Sequence, residues 1–452
     1  MNELDASITE WRTAITRNRA VSDTDADELE SHLRDQITEL EAAGLDADEA
    51  FVIAVKRLGR VDRVSAEYAR EHGDRLWQQL TLPPVDAAGT VSGRRRLIEM
   101  LAFAVLAAVL IQVARLASGV PDSGAAADAW FARNVGFFVL PVVAGYLAVL
   151  RRMPWRGIAV LAAVVAGFAI VVNLYPFSAA SDSSTLVAIH LPVVLWFVVA
   201  AAYLAGEVMS SPRRIDAVRF TGEWAVYYVL IALGGGVLVG LMVAVLAPIA
   251  PDAINQLTLW VIPSGAAGAA VVAAWLVEAK KAVIENIAPV LTAIFTPLFA
   301  VLIVVSAIGY LIAGLGQEFD RELLVVFDVL LLVVLGLVLY SLSARDVTRP
   351  TPVMDVIRLV AVIAAVVLDG LVLGSMLARI GEYGFTPNRT VALGLNVLLI
   401  VNLAVTAVLA ARPRADVVAA VRMERWQTAY LPVFGLWAAV VVVVIPPLFG
   451  FA

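Results

Sequence analysis

Eleven stretches of this chain, each of about 20 residues or more and nearly free of charge, constrain its fold more than any other feature. They lie at roughly 97–118, 129–150, 157–178, 185–206, 224–249, 257–278, 288–314, 322–343, 354–378, 388–411 and 430–449. Lipid offers no water to the backbone, so a run of this length must satisfy its own amides and carbonyls by becoming a helix. The expectation is all-α: a polytopic transmembrane bundle of about 11 spans with the lipid bilayer as its first partner.

Charge separates the chain into two parts. Residues 1–93 hold 10 Arg/Lys and 19 Asp/Glu, whereas the rest holds 23 and 20. Only 16% of the whole is charged, against about 25% in an ordinary soluble chain. An acidic, water-facing head over 1–81, a linker over 82–96 and a membrane domain over 97–452 follow from this. The linker reading rests on "LPPVDAAGTVSG", rich in Pro, Gly and small residues. With an acidic, amphipathic start, no cleavable signal peptide is expected.

The head reads as about four short helices. Leu4, Ile8, Trp11 and Ile15 form one apolar stripe, and Leu29, Leu33, Ile37 and Leu40 a second. Ser22 with Asp25, and Asp46 with Glu49, have the spacing that caps a helix start; Gly44 and Gly59 suit helix ends. Phe51, Ala54, Val55 and Leu58 mark the third buried face, and Val61, Val64 and Tyr68 begin a fourth helix. The segment "ELESHLRDQITELEAAGLDADEAFVIAVKRLG", with Glu28, His32, Leu33 and the "GLDADEAF" turn, resembles the HAAS-type or permease prefix domain found ahead of bacterial membrane proteins. That resemblance implies a cytosolic regulatory head with a protein partner for residues 1–81. By itself His32, with no second ligand beside it, reads as a bundle-edge histidine.

Orientation follows from the basic residues. If the head is cytosolic, 17 Arg/Lys fall in inside segments, from Arg94, Arg95 and Arg96 to Arg412, Arg414, Arg422 and Arg425. The opposite segments hold only Arg321, Arg379 and Arg389, with Arg115 and Arg133 near helix ends. The positive-inside rule then puts the N-terminus in the cytosol and the C-terminus outside.

One external turn, "EYGFTPNR" at 382–389, carries Glu382, Tyr383 and Arg389 between two strongly apolar segments. Pro387 suits the first turn of a helix, and Gly381 and Gly384 permit chain reversal. Tyr383 and Phe385 suit the interfacial belt, while Glu382 and Arg389 form a candidate ion pair or anion site. "RIGEYGFTPNRTVALGLN" and "YLPVFGLWAAVVVVVIPPLFGF" resemble the bacterial multi-pass membrane family catalogued as domain of unknown function 4153. The resemblance implies an integral protein of the bacterial cytoplasmic membrane and supplies no reaction.

Polar groups within apolar spans are costly and so mark interhelical contacts or function. At 1.5 Å per residue, Asp328 lies roughly 9 Å and Asp369 roughly 13 Å from the outer ends of their spans. His190 and Asn396 fall at similar depth, with Arg115 and Asn173 shallower. These six are the candidate lining of an outward-facing polar cavity; separate packing contacts are the plainer reading. "GGGVLVG" (234–240) and "SGAAGAA" (264–270) suit close helix contacts, and "IPSG" (262–265) is a candidate break in the sixth span.

With no cysteine, and with three scattered histidines, thiolate and His-rich metal sites are excluded. No protease, hydrolase, nucleotide-loop or dinucleotide motif is present, and no basic aromatic surface suits nucleic acid. No cofactor is called for, and no catalytic residue stands out. Two functions stay open: a carrier or permease using the outer cavity, and a membrane sensor or adaptor signalling through the head. A reporter active only in the cytosol is expected to work when fused after Arg152 or Arg214 and to fail after Asp320 or Ala452. Activity at Ala452 would overturn the odd number of spans.

Overall fold

The chain is described by a computed structural model covering residues 8, 30–31, 33–38, 40, 46–58, 87–119, 124–178, 181–247, 251–279, 287–313, 321–343, 352–411 and 417–452. It forms two compact units, Met1–Arg96 and Leu97–Ala452. No strand occurs among the described residues.

In the first unit, α1 (Ala47–Leu58) starts as its cap residues require: the Asp46 carboxylate accepts from the Ala47 amide at 2.7 Å. Ala50 and Ala54 are fully buried on its inner face. Leu33, Ile37 and Leu40 are buried along the helical positions at 30–40, with Arg34 paired to Glu30 one turn earlier. Glu28, His32, Gly44, the Ser22 cap and the fourth helix lie outside the described residues.

The second unit is built from the part of α2 (Ala87–Ser118) that follows Arg96, α3 (Ala125–Leu150), α4 (Trp155–Leu174), α5 (Asp182–Tyr203), α6 (Ser211–Leu246) and α7 (Pro251–Ala279). The chain continues through α8 (Ile287–Ala313), α9 (Arg321–Ser343), α10 (Pro352–Tyr383), α11 (Pro387–Ala410), α12 (Val417–Val443) and the single turn α13 (Ile445–Leu448). Among the described residues, 11 helices are long and apolar enough to cross a membrane, and they coincide with the 11 stretches expected. Helix α2 begins at Ala87, so helix runs through residues 87–94 ahead of the first span, Arg95–Ser118. After the last Pro of the linker nothing stops a helix propagating backwards, since extension adds a hydrogen bond for each residue ordered.

Two apolar cores hold the bundle. In the first, Ile111, Val143, Leu147, Val199, Phe220 and Val271 bring α2, α3, α5, α6 and α7 together. In the second, Ile303, Leu331, Leu368, Leu399 and Leu403 join α8 through α11. Helix α12 packs on both α5 and α11 and links the two. Helix α4 buries only Val172, and the apolar part of α6 buries nothing, so both present their sides to lipid.

The small-residue stretches divide. In "SGAAGAA", Ala267 and Ala270 are buried and Gly268 lies against the Ala104 backbone, as close packing requires. In "GGGVLVG", Gly234, Gly235, Gly236 and Gly240 have no neighbour within 4 Å where a side chain would stand. The expected close contact there is absent, because this part of α6 lies at the lipid face rather than in a helix interface. "IPSG" does not break the sixth span either: Pro263 sits inside an unbroken α7. Proline has no amide to offer the carbonyl of Leu259, four residues back. The Gln112 side chain of α2 donates to that carbonyl at 3.3 Å and to Trp260 O at 2.8 Å, so the helix continues.

The tightest glycine among the described residues is Gly394, where the Trp437 ring would lie 2.0 Å from an added Cβ, with Gly222 against Tyr340 next at 2.4 Å. Gly394→Ala is expected to cost about 1–3 kcal/mol by overpacking and to lower the Tm of the purified protein. Gly235→Ala is expected to leave the Tm unchanged or slightly raised. Equal melting of Gly394→Ala and wild type would mean that the Trp437 contact does not constrain the fold.

Candidate functional site

The six polar residues singled out from the sequence do not share one cavity; they separate into four environments. Arg115 is buried where α2 meets α7: its Nε donates to Gln112 Oε1 at 2.8 Å, and its guanidinium lies 5.2 Å from the Trp260 ring centre. Asn173 is exposed and joins α4 to α3, accepting from Trp130 Nε1 at 2.9 Å and donating to Asn134 Oδ1 at 2.8 Å. His190 contacts the Leu186 carbonyl of its own helix through Nδ1. The first two tie neighbouring helices together, whereas His190 bonds within its own helix.

The fourth brings three of the six together. Asp328 of α9, Asp369 of α10 and Asn396 of α11 meet where these three helices pack. Asn396 is fully buried and donates to Asp328 Oδ1 at 3.0 Å and to its own helix at Ala392 O. Asp369 has no exposed surface, and neither carboxylate oxygen has a hydrogen-bond partner. The Asn396 Oδ1 is likewise buried without a donor. Asp328 is close enough to Asp369 to act on it electrostatically, and it is itself only partly buried. Leu368, Val372 and Leu399, all fully buried, close the surroundings.

Helical periodicity explains this convergence. The run "AAVVLDGLVLG" directs Leu368, Asp369 and Val372 inward at spacings of one turn, while Val367 faces out. Because α10 continues to Tyr383, Asp369 lies about 21 Å from the helix end, deeper than the segment boundaries in the sequence imply. Two carboxyl groups and an amide make up an oxygen-rich site. A proton or a small cation is the species that such a site can hold. A buried ionised carboxylate with no partner is otherwise among the costliest arrangements in a protein. No group of three or more metal-binding side chains occurs among the described residues.

The turn at 382–389 is structural in its contacts. Gly384 takes a positive φ of 75° and its amide closes on Ile380 O, ending α10 in a left-handed cap. Gly381 lies within α10 and does not turn the chain. Thr386 caps α11 by accepting from the Arg389 amide, and Pro387 follows at the first helical position. Arg389 does not pair with Glu382 in this arrangement. Its Nη1 donates to the carbonyls of Tyr383 and Gly384, at 3.1 and 2.9 Å, where the negative end of α10 favours a cation. Tyr383 and Phe385 are exposed, as residues of an interfacial belt would be.

Two polar groups are not legible in the sequence as groups. The first is a buried network in which Asn402 of α11 and Gln427 of α12 exchange two hydrogen bonds, at 3.2 and 3.1 Å, with Thr406 also accepting from Gln427. Asn402 has no visible counterpart in a neighbouring span, because Gln427 sits among basic residues that read as a loop. The second is a charged group on α6, including Asp216 and the buried Glu223. It does leave a signal: Arg213, Asp216, Arg219 and Glu223 recur every three or four residues and share a helix face.

No protein family, curated protein or solved structure matches this chain. The class therefore rests on the fold alone: it is an all-α, multi-pass integral membrane protein.

Replacing Asn402 by Leu strands the buried Gln427 amide and is expected to lower the Tm. The Gln427→Leu partner change is expected to add less than its single effect. A double-mutant cycle should return a coupling of about 0.6–1.7 kcal/mol, the range for hydrogen bonds between membrane helices. Strict additivity would show the pair to be energetically silent.

Proposed function

We propose that the protein is a carrier of the permease type, in which Asp328, Asp369 and Asn396 bind a proton or small cation within the membrane. One observation supports this above the rest: a fully buried aspartate with both oxygens unpartnered, next to a second carboxyl that is partly open. A purely structural polar residue is normally satisfied by a neighbour, as Asn402 is by Gln427. Asp369 instead keeps two unused acceptors in a low-dielectric interface, an arrangement that favours occupancy by a positive species. Asp328 is the entry side, because it alone of the three retains exposure.

The charge asymmetry supports placing the N-terminus in the cytosol and this site nearer the outer face. The resemblance of residues 28–59 to the permease prefix domain supports a regulatory head acting on the carrier through a cytosolic partner. The sensor reading draws on a different observation. The Asn402–Gln427–Thr406 network ties α11 to α12 with all three side chains buried, as a static bundle would have it.

Flux through proteoliposomes separates these readings. With a pH-sensitive dye inside, an imposed proton or sodium gradient is expected to dissipate faster with wild type than with Asp369→Asn. The Asn variant should insert at wild-type level and melt at the same or a higher temperature, since it removes a buried acid that lacks a partner. Wild type and Asp369→Asn running at the rate of empty vesicles, under both gradients, would refute the carrier and leave the sensor.

A further inference from the structure

At the end of the bundle where α3 stops and α6 begins, a cavity of about 240 Å³ is lined by Arg151, Tyr203, Arg213, Asp216, Arg219 and Glu223. Its charges are held in place rather than loose. The Arg151 Nη2 meets Glu278 Oε1 at 2.7 Å and its guanidinium lies 4.2 Å above the Tyr203 ring, yet its Nε is buried without an acceptor. Arg219 donates to the carbonyl of Ser343, the last residue of α9. Glu223 is 4% exposed, whereas Arg213 reaches only an exposed partner, Glu207, at 3.0 Å. Tyr203 stacks on Phe220 with centroids 4.3 Å apart, which makes the floor rigid and aromatic.

The backbone beside this cavity is strained as well. Arg152 and Ala205 hold φ angles of 53° and 51°, a left-handed conformation that costs a residue with a side chain of order 1 kcal/mol or more. They are two of the three described non-glycine residues with positive φ, and they end α3 and follow α5 at the rim. Strain of this kind persists where the geometry around it is over-determined.

The lining alternates in sign along α6, from Arg213 to Asp216 to Arg219 to Glu223. A simple anion placed there would meet two carboxylates, and a simple cation would meet three guanidiniums. A ligand carrying both charges a short distance apart satisfies each. The position restricts it further. Arg151 follows directly on the apolar α3, and Trp155, 74% exposed, stands just beyond, so the cavity lies at the depth of lipid headgroups. Its volume is below the roughly 300–1,000 Å³ of sites for drug-sized ligands, which fits a head and leaves any acyl chains in the bilayer.

We infer that this cavity binds a phosphate joined by a short linker to a primary ammonium, as in an aminophospholipid head or the free phosphoamine. Arg151 and Arg213 receive the phosphate at the cavity wall. Asp216 and Glu223 receive the ammonium.

The test is thermal unfolding of the full chain in detergent, with short-chain phosphatidylethanolamine, short-chain phosphatidylglycerol or water-soluble phosphoethanolamine added. The expected result is a concentration-dependent rise in Tm with phosphatidylethanolamine, smaller with phosphatidylglycerol, and absent in both Arg213→Gln and Asp216→Asn. Equal rises with the two lipids would overturn the ammonium half and with it the proposal. So would a rise retained in both variants, or no rise with any of the three compounds. Phosphoethanolamine matching the lipid would uphold the recognition and identify a soluble ligand as its source. Should Asp216→Asn fail to fold, Arg213→Gln, at an exposed position, decides alone: a lost rise upholds the site and a retained one overturns it.

Discussion

The backbone's demand for hydrogen bonds in a medium without water governs this protein at every level. It makes each apolar stretch a helix, and it also dictates how departures from the ideal helix are repaired. Pro263 lies in the middle of α7 and would leave a carbonyl open to hydrocarbon. The Gln112 amide closes that position and at the same time accepts from Arg115 through its own oxygen. One missing amide thus accounts for a glutamine, an arginine and the contact between α2 and α7. The Tyr383 end of α10 is treated in the same way, its last carbonyls being met by Arg389 rather than by water alone.

Against this background Asp369 is the exception that has chemical meaning. Many buried polar side chains of the spans are tied into pairs, Asn402 with Gln427, Arg133 with Ser184, Trp196 with Thr221. Where others keep an unmet atom, as Trp437 and Tyr340 do, it is a neutral one or a single guanidinium nitrogen. Asp369 alone among the described residues buries an unpartnered carboxylate. The cost of an unmet polar group in lipid is high enough that evolution has little reason to leave one unless something else occupies it. The partly open Asp328 beside it supplies a way in, and Asn396 fixes the Asp328 carboxyl without neutralising it. A site made only of oxygens has a narrow choice of occupants, which is why a proton or small cation is the conclusion drawn.

The two ends of the bundle differ in character. Toward one end the polar contacts are mostly single hydrogen bonds, Trp130 and Asn134 with Asn173, Arg133 with Ser184, Tyr175 with Val443 O. Toward the other, arginines and carboxylates alternate on α6, and Arg151, Arg219 and Arg214 hold the ends of neighbouring elements through Glu278, Ser343 O and Thr428 O. Helix α6 serves both regions. With 36 residues it is about 54 Å long, well over the roughly 30 Å of a hydrocarbon core. Its charged first third packs against protein while its glycine-containing remainder faces lipid.

The sequence by itself determined the number and order of the spans, the third helix of the head, the cap at Asp46, the helix start at Pro387 and the turn at Gly384. All of these depend on local chemistry: apolar length, cap side chains and backbone freedom act within a few residues. It also marked every intramembrane polar residue that meets at Asp369, since a charge in a 20-residue apolar run is visible without a structure. What it left undecided was company. Depth alone placed Arg115, Asn173 and His190 beside Asp328, but depth is one coordinate of three, and helix rotation and neighbour order separate them. The same lack hid the partnership of Asn402 with Gln427, and it made "GGGVLVG" and "SGAAGAA" look alike although only the second faces another helix. Those choices belong to the tertiary structure, because in lipid an apolar surface is as comfortable against acyl chains as against a neighbour. Shape and a few polar contacts between distant segments decide which helices meet.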